Sequence, residues 1–229
     1  LDIYKYPLAS TTFLLVLFLI YRDYKDFLSL GPGGTPSTPA GYARIFVLRL
    51  FALHNPLSPP PLHPDIEPQT GYLNASYFPP REGPRPRVKG IAPQRQVTQR
   101  SGPILFNLLS REIKGMATCN PRLREGTSCF EKHTAGLFIS DPDFIRTRTC
   151  NGEVVHAHPS DGSMHVTLHP ADAALVLARG WGQRHPLARG GWLSRFVPEG
   201  FLMVYAPRTE EEVRTVIRVV RAAAWWVGG

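Results

Sequence analysis

The sequence predicts an α+β fold: a single domain of short, mostly antiparallel strands with packed helices, preceded by an N-terminal transmembrane helix. Three observations carry that reading. Short stretches rich in β-branched and apolar residues, Glu153–His158, Ser163–Leu168 and Phe201–Tyr205, sit between turn residues as strands do. Longer stretches, Leu105–Met116, Ala171–Ala178 and Val213–Ala224, repeat their apolar residues at the helical period. An uncharged apolar run opens the chain.

From Tyr6 to Tyr21 no residue is charged, and Phe13 to Ile20 is wholly apolar. The run falls short of the roughly 20 residues that span a bilayer, a difference that marginal tyrosines, tilt and local thinning can make up. Lys5, Arg22 and Lys25 lie beyond it. The expectation is a membrane anchor over residues 1–30, with the lipid membrane as a partner. The basic domain that follows favours a single-pass endomembrane protein whose domain faces the cytosol. Leu1 is not methionine, so a segment upstream is left open.

Residues 31–93 read as a Gly/Pro-rich linker and wrapping segment. Gly31–Pro39 is a spacer, and Gly41–Leu53 has the spacing of a short helix that carries Arg44 and Arg49. From His54 to Pro93 frequent prolines, with Pro59, Pro60 and Pro61 consecutive, favour irregular or extended chain.

Residues 94–229 hold the main domain. Gln94–Gln99 reads as a short strand or approach segment. A helix follows Pro103, its stripe being Ile104, Leu105, Leu108, Leu109, Ile113 and Met116. Pro121–Lys132 reads as loop, and Leu137–Ser140 as a strand ended by Asp141 and Pro142. The next helix starts at Pro170, whose missing N–H would be unpaired there anyway, and stops at Gly180. Thr209 with Glu212 fits a capping box for the closing helix, whose stripe is Val213, Val216, Ile217, Val220 and Ala224.

The densest chemistry lies in Gly152–Leu187. Pro159, Ser160, Asp161 and Gly162 form a turn, so a hairpin places His158 opposite Ser163 and His156 opposite His165. Strand side chains alternate faces, which puts His156, His158 and His165 on one side, joined by His169 if the second strand runs that far. Gly180 and Gly182 let the backbone turn around Trp181 and leave Gln183, Arg184 and His185 just past a helix end. His156, His158, His165 and His185, with Glu153 nearby, supply ligand types used by zinc or non-haem iron, without matching a specific metal signature. A divalent metal therefore stands as an open cofactor, with His156, His158 and His165 as its candidate ligands. The purely structural alternative is that these histidines hydrogen-bond to one another, to Asp161 or to Asp172.

Composition narrows the partners. With 229 residues, 43% of them hydrophobic, the chain can bury one full core, and 20 glycines and 23 prolines interrupt it with turns. The net charge of +8 includes a local group at Arg81, Arg85, Arg87, Lys89, Arg95 and Arg100. No helix-turn-helix, zinc finger or aromatic-interleaved motif accompanies it, which argues against nucleic acid and leaves an acidic small molecule or anionic lipid. The cysteines, Cys119, Cys129 and Cys150, do not make a disulfide scaffold. The GxG at Gly31–Gly33 lacks the strand and lysine context of a nucleotide loop.

Four segments carry a family likeness. Arg22–Phe27, the His156/His158 motif, GWGQRHPL at Gly180–Leu187 and the segment Phe201–Glu212 with YAPRTEEE closely resemble the fungal luciferases and the wider luciferase-like family. The likeness spans the amino-terminal run and most of the domain. It implies an oxygen-dependent oxidoreductase, of the monooxygenase kind, acting on a hydroxylated styrylpyrone, 3-hydroxyhispidin, or a related flat phenolic compound. In the bioluminescent members the high-energy intermediate loses carbon dioxide and leaves an excited product that emits light. No cofactor is required there beyond molecular oxygen. For such chemistry a neutral imidazole of His156, His158 or His165 removes the 3-hydroxyl proton, with His185 as a second acid or base. Arg184 holds the pyrone oxygens and the charge that develops on peroxide formation. Trp181 stacks on the flat substrate, with Gln183, Tyr205 and Arg208 as further substrate contacts, although Arg208 reads equally well as a surface ion-pair partner. The competing readings are a non-catalytic module that binds a small ligand or lipid at the membrane, and a metal-dependent hydrolase that turns over without oxygen.

Overall fold

The computed structural model describes residues 5–141 and 148–229. Helices α1 (Lys5–Ser29) and α2 (Pro39–Leu48), with a 3₁₀ turn at Arg49–Phe51, lead into a two-stranded ribbon of β1 (Val88–Gly90) and β2 (Gln94–Gln96). Then follow α3 (Pro103–Cys119), β3 (Leu123–Thr127), β4 (Ala135–Ile139), β5 (Glu153–Ala157), β6 (Met164–Thr167), α4 (Pro170–Ala178), β7 (Gly182–Arg184), a 3₁₀ turn at Gly191–Arg195, β8 (Phe201–Val204) and α5 (Glu210–Gly228). Six strands form one sheet in the order β3-β4-β5-β6-β8-β7, every neighbouring pair antiparallel. The α+β class expected from the sequence is what the chain adopts.

Alternation along the strands gives the sheet two different faces. Leu137, Val155, Val166, Leu202 and Val204 join Val213, Val216 and Val220 of α5 and Leu109 of α3 in the main core. Each such fully buried aliphatic side chain is worth about 1.5–3 kcal/mol relative to exposure. Thr209 starts α5 by accepting the Glu212 amide at 3.1 Å, while the Glu212 carboxylate accepts the Arg208 amide at 2.7 Å. The opposite face carries the histidines. Over it lies a second cluster of Phe27 from α1, Tyr42 and Ile45 from α2, and Ile91, Leu187, Val197 and Phe201.

The transmembrane expectation is overturned. Among the described residues, no helix is long and apolar enough to cross a membrane. The unbroken apolar run, Phe13–Tyr21, is nine residues between Ser10–Thr11–Thr12 and Arg22–Asp23. It rises only about 14 Å, against roughly 30 Å of hydrocarbon. The single-pass anchor, the membrane localisation and the lipid partner fall on that finding. The carboxyl-terminal end of α1 instead docks on α2: Asp23 accepts from the Tyr42 hydroxyl at 2.8 Å and from Arg49 Nη1 at 2.5 Å.

The proline-rich segment is tied down through backbone groups. Asp172 accepts the amides of Tyr72 and Leu73 at 2.9 and 2.7 Å, Arg85 donates to the carbonyls of Gly182 and Leu177 at 2.9 and 2.5 Å, and Leu53 donates to the Pro186 carbonyl at 2.8 Å. At its carboxyl-terminal end β1 pairs with β2, and ahead of it the helix expected over Gly41–Leu53 runs from Pro39 to Leu48 before its 3₁₀ turn. Strand β3 lies inside Pro121–Lys132, which reads as loop, and β7 lies in the run after α4. Both are sheet edges, and β3 buries only Leu123, so it shows no alternation. Pro142 lies outside the described residues. Gly180, at φ +81° just past α4, takes the left-handed conformation that ends the helix.

Candidate active site

The hairpin forms in the expected register. His156 pairs with His165 and Ala157 with Met164, and the His158 amide donates to the Ser163 carbonyl at 2.8 Å. Gly162 sits at φ +79°, where a Cβ would meet Ser101 Cβ at 2.4 Å, so the turn requires glycine twice over. The imidazoles of His156, His158 and His165 converge. Nδ1 of His165 lies 3.1 Å from Nε2 of His156 and 3.1 Å from Nε2 of His158. All three side chains are buried. His169 does not join them, because β6 ends at Thr167 and the His169 ring instead caps α4 by accepting the Ala171 amide at 3.1 Å.

The nitrogen of each ring that points away from the centre has its own partner. His156 Nδ1 is 2.5 Å from Glu153 Oε1, and that carboxylate also accepts from Ser128 Oγ at 2.7 Å and the Cys129 amide at 2.6 Å. His158 Nδ1 is 2.9 Å from Ser163 Oγ, which itself donates to Asp161 Oδ1 at 2.6 Å. His165 Nε2 is 2.8 Å from Gln94 Oε1. A carboxylate, a hydroxyl whose proton is already committed, and an amide oxygen are all acceptors, so each outer nitrogen carries the hydrogen. The inner nitrogens are left with lone pairs facing one another. Burial, then the neighbouring imidazoles, Arg95 and His185, hold His158 and His165 well below the usual histidine range, which keeps those rings neutral.

Glu153 reaches His156 because β5 is irregular. Leu137 pairs with Val155 but Phe138 with Glu153, so Val154 is an extra residue, and the register shift turns Glu153 onto the histidine face. Strict alternation would have sent it the other way.

A cavity of about 430 Å³ opens over His156 and His165. Its walls include Ile91, Phe130, Leu187, Leu193, Val197 and Phe201, with Glu131 and Gln94 among the polar lining. The Phe201 ring stacks on His165 at 5.0 Å and 14°, and Phe130 lies 4.4 Å from Phe201. Arg95 holds Glu131 by two bonds of 2.9 Å, and Glu131 Oε1 is 3.6 Å from His158 Nε2. Cys129 also lines the cavity, but burial, together with Cys150 and Glu153, pushes its thiol up to about 12, so it is no thiolate nucleophile.

The remaining expected site residues lie elsewhere or are otherwise engaged. His185 lines the cavity with both nitrogens occupied: Nε2 donates to the Ile91 carbonyl at 2.9 Å and Nδ1 accepts the Leu187 amide at 3.1 Å. Arg184 is buried and donates to the carbonyls of Ala188 and Glu199 rather than into the cavity. The Trp181 indole donates to the Pro79 carbonyl at 2.7 Å, and Gln183 accepts from the Tyr205 hydroxyl at 3.1 Å. Arg208 pairs with Glu212, and together with Trp181 borders a separate cleft. Phe130, Glu131, Arg95, Gln94 and Phe201 had no role in the sequence reading. They reach the site from the β3–β4 loop, from β2 and from β8; the signals near them were the Gln94–Gln99 segment, the basic group that includes Arg95 and the strand that opens at Phe201, while nothing marked Phe130 or Glu131.

A small α+β domain that gathers three buried imidazoles beneath an aromatic-walled cavity defines the class: a domain with a concave, largely apolar pocket floored by convergent histidines. The family model for the luciferase domain matches residues 151–223, which hold the hairpin histidines and Phe201. The luciferase of Armillaria mellea is 33% identical over 223 residues, covering 89% of this chain and 80% of that protein. The luciferase of Neonothopanus nambi is 32% identical over 222 residues, covering 90% and 80%. The chain belongs to the fungal luciferase family. No solved structure matches it.

Proposed function

We propose that this chain is an oxygen-dependent oxidoreductase whose substrate is a flat, hydroxylated pyrone or phenol of the styrylpyrone type, bound in the cleft over His156 and His165. The observation that carries the reading is the pairing of an apolar slot, the packed Phe130 and Phe201 rings on its wall, with the imidazoles of His156 and His165 at its floor. Its volume of about 430 Å³ lies in the range of pockets that enclose small organic ligands. The aromatic walls align a planar ring and keep water out. An acidic ring hydroxyl pointing downward gives its proton to the histidine cluster, and the resulting anion is electron-rich enough to react with molecular oxygen. Arg184 acts at one remove in this reading: it holds the Ala188 and Glu199 carbonyls, and so fixes the loop that carries Leu187, Leu193 and Val197. Light emission is the fate of the product in relatives named luciferase, and this chain's own product is the quantity to measure.

The test is oxygen uptake by the purified chain on addition of 3-hydroxyhispidin, with photon counting in parallel. Uptake that depends on the styrylpyrone is expected, with or without light. Binding of the styrylpyrone without uptake would replace this reading with a non-catalytic ligand-binding module.

A further inference from the structure

The inner nitrogens of the histidine cluster pose a physical problem. Nε2 of His156, Nε2 of His158 and Nδ1 of His165 each present a lone pair to the same small volume, because their outer nitrogens donate to Glu153, Ser163 and Gln94. Lone pairs 3.1 Å apart in a buried pocket repel unless something positive lies between them. The spacing says what would fit. Three nitrogens held by one ion at about 2.1 Å, with angles between octahedral and tetrahedral, stand roughly 3.0–3.4 Å from one another. The two separations from His165 fall in that range and all three nitrogens lie within 4.8 Å of one another, so a bound ion draws His156 and His158 together.

We propose that His156 Nε2, His158 Nε2 and His165 Nδ1 form a binding site for one divalent first-row transition metal ion, with the Glu131 carboxylate as an anionic donor in reach. Imidazole ligands suit zinc, iron, copper and nickel rather than magnesium or calcium. Glu131 Oε1 stands 3.6 Å from His158 Nε2, the separation of neighbouring ligands more than of a direct hydrogen bond, and Arg95 fixes its orientation. Each ligand also has the outer support that metal-bound histidines show: a carboxylate on His156, a hydroxyl relayed to Asp161 on His158, and an amide oxygen on His165. His156, His165 and Glu131 line the cavity, so an ion here has one side open to it.

The proposal rests on the reading of this cleft and changes one step of it: with an ion bound, the inner nitrogens would be ligands rather than proton acceptors, and the ring hydroxyl would face the open side of the ion. Metal binding is measured without substrate, so the two fail separately. The full chain is purified, stripped with dipicolinate, desalted and titrated with Zn²⁺ or Co²⁺. Expected are one ion per chain by elemental analysis, a visible Co²⁺ spectrum that saturates at one equivalent, and a rise in Tm of roughly 5–10 °C at a hundredfold excess over Kd. His158→Gln, checked for an intact fold by circular dichroism, should lose the stoichiometric ion. Glu153→Gln, which keeps all ligands but removes the anion behind His156, should weaken binding about 10–100-fold. A stripped wild-type protein that stays folded yet shows no cobalt spectrum and no change in Tm overturns the proposal. The cluster would then be a hydrogen-bonded relay with a proton on His165 Nδ1. Full metal binding by folded His158→Gln would overturn it equally.

Discussion

At the scale of single residues, two buried charges hold the site in shape. Glu153 accepts three donors at once, and replacing one of its oxygens by the amide of glutamine leaves at least one of them poorly matched. Glu153→Gln should therefore lower stability by about 1–3 kcal/mol, read as a shift in the urea midpoint. Arg95 is the counter-charge of Glu131, with both side chains nearly inaccessible at 7% and 5%. Arg95→Met leaves that carboxylate buried and unpaired, and should destabilise by about 3–5 kcal/mol, while the double variant Arg95→Met/Glu131→Leu should recover much of the loss. A loss in the double variant equal to the sum of the two single losses would show that the pair is not coupled. Phe130 is only partly buried, so Phe130→Ala should act on function first, raising the KM for a styrylpyrone more than it lowers kcat.

At the scale of elements, the hairpin was legible because its signals are local. A Pro-Ser-Asp-Gly turn between two short strands fixes the register, and register with alternation puts His156, His158 and His165 on one face. The helices were legible for the same reason, with α4 running Pro170–Ala178 and α5 opening on Thr209. What stayed hidden depends on distant chain. Edge strands β3 and β7 exist because β4 and β8 offer open hydrogen-bonding rims, and the bulge at Val154 is visible only against β4. Arg184 and Trp181 looked like substrate contacts because they follow a helix end near the histidines; their polar atoms are taken by carbonyls of other segments. The apolar run of α1 was read for its hydrophobicity, and its length decided otherwise. Gly162→Ala tests the hairpin itself: a Cβ at φ +79° against Ser101 should cost more than 1 kcal/mol and weaken ligand binding at the histidines together with stability.

At the scale of the whole molecule, the buried imidazoles make stability depend on pH with a definite sign. His158, His165 and His185 are harder to protonate in the folded chain than unfolded, chiefly through burial, with His185 lowered from 6.5 to about 4. The unfolded chain therefore takes up more protons as pH falls below 6.5, and stability that is complete above that value is lost on acidification. His185 alone accounts for roughly 3 kcal/mol between pH 6.5 and 4. Asp161 and Asp172, raised from 3.8 by burial, work the other way, recovering some stability as they protonate. Tm measured by calorimetry should fall between pH 7.5 and 5.5; a flat or rising Tm would mean that these rings are not buried as neutral groups. The central claim, that chemistry takes place in the slot beside the packed Phe130–Phe201 pair and over the histidine cluster, is met most directly by a crystal structure with a bound styrylpyrone that lacks the reactive hydroxyl. Its rings are expected in that cavity, against the Phe130–Phe201 pair, with an oxygen turned toward His156 and His165. Density in the cleft beside Trp181 and Arg208, with the slot empty, would contradict it.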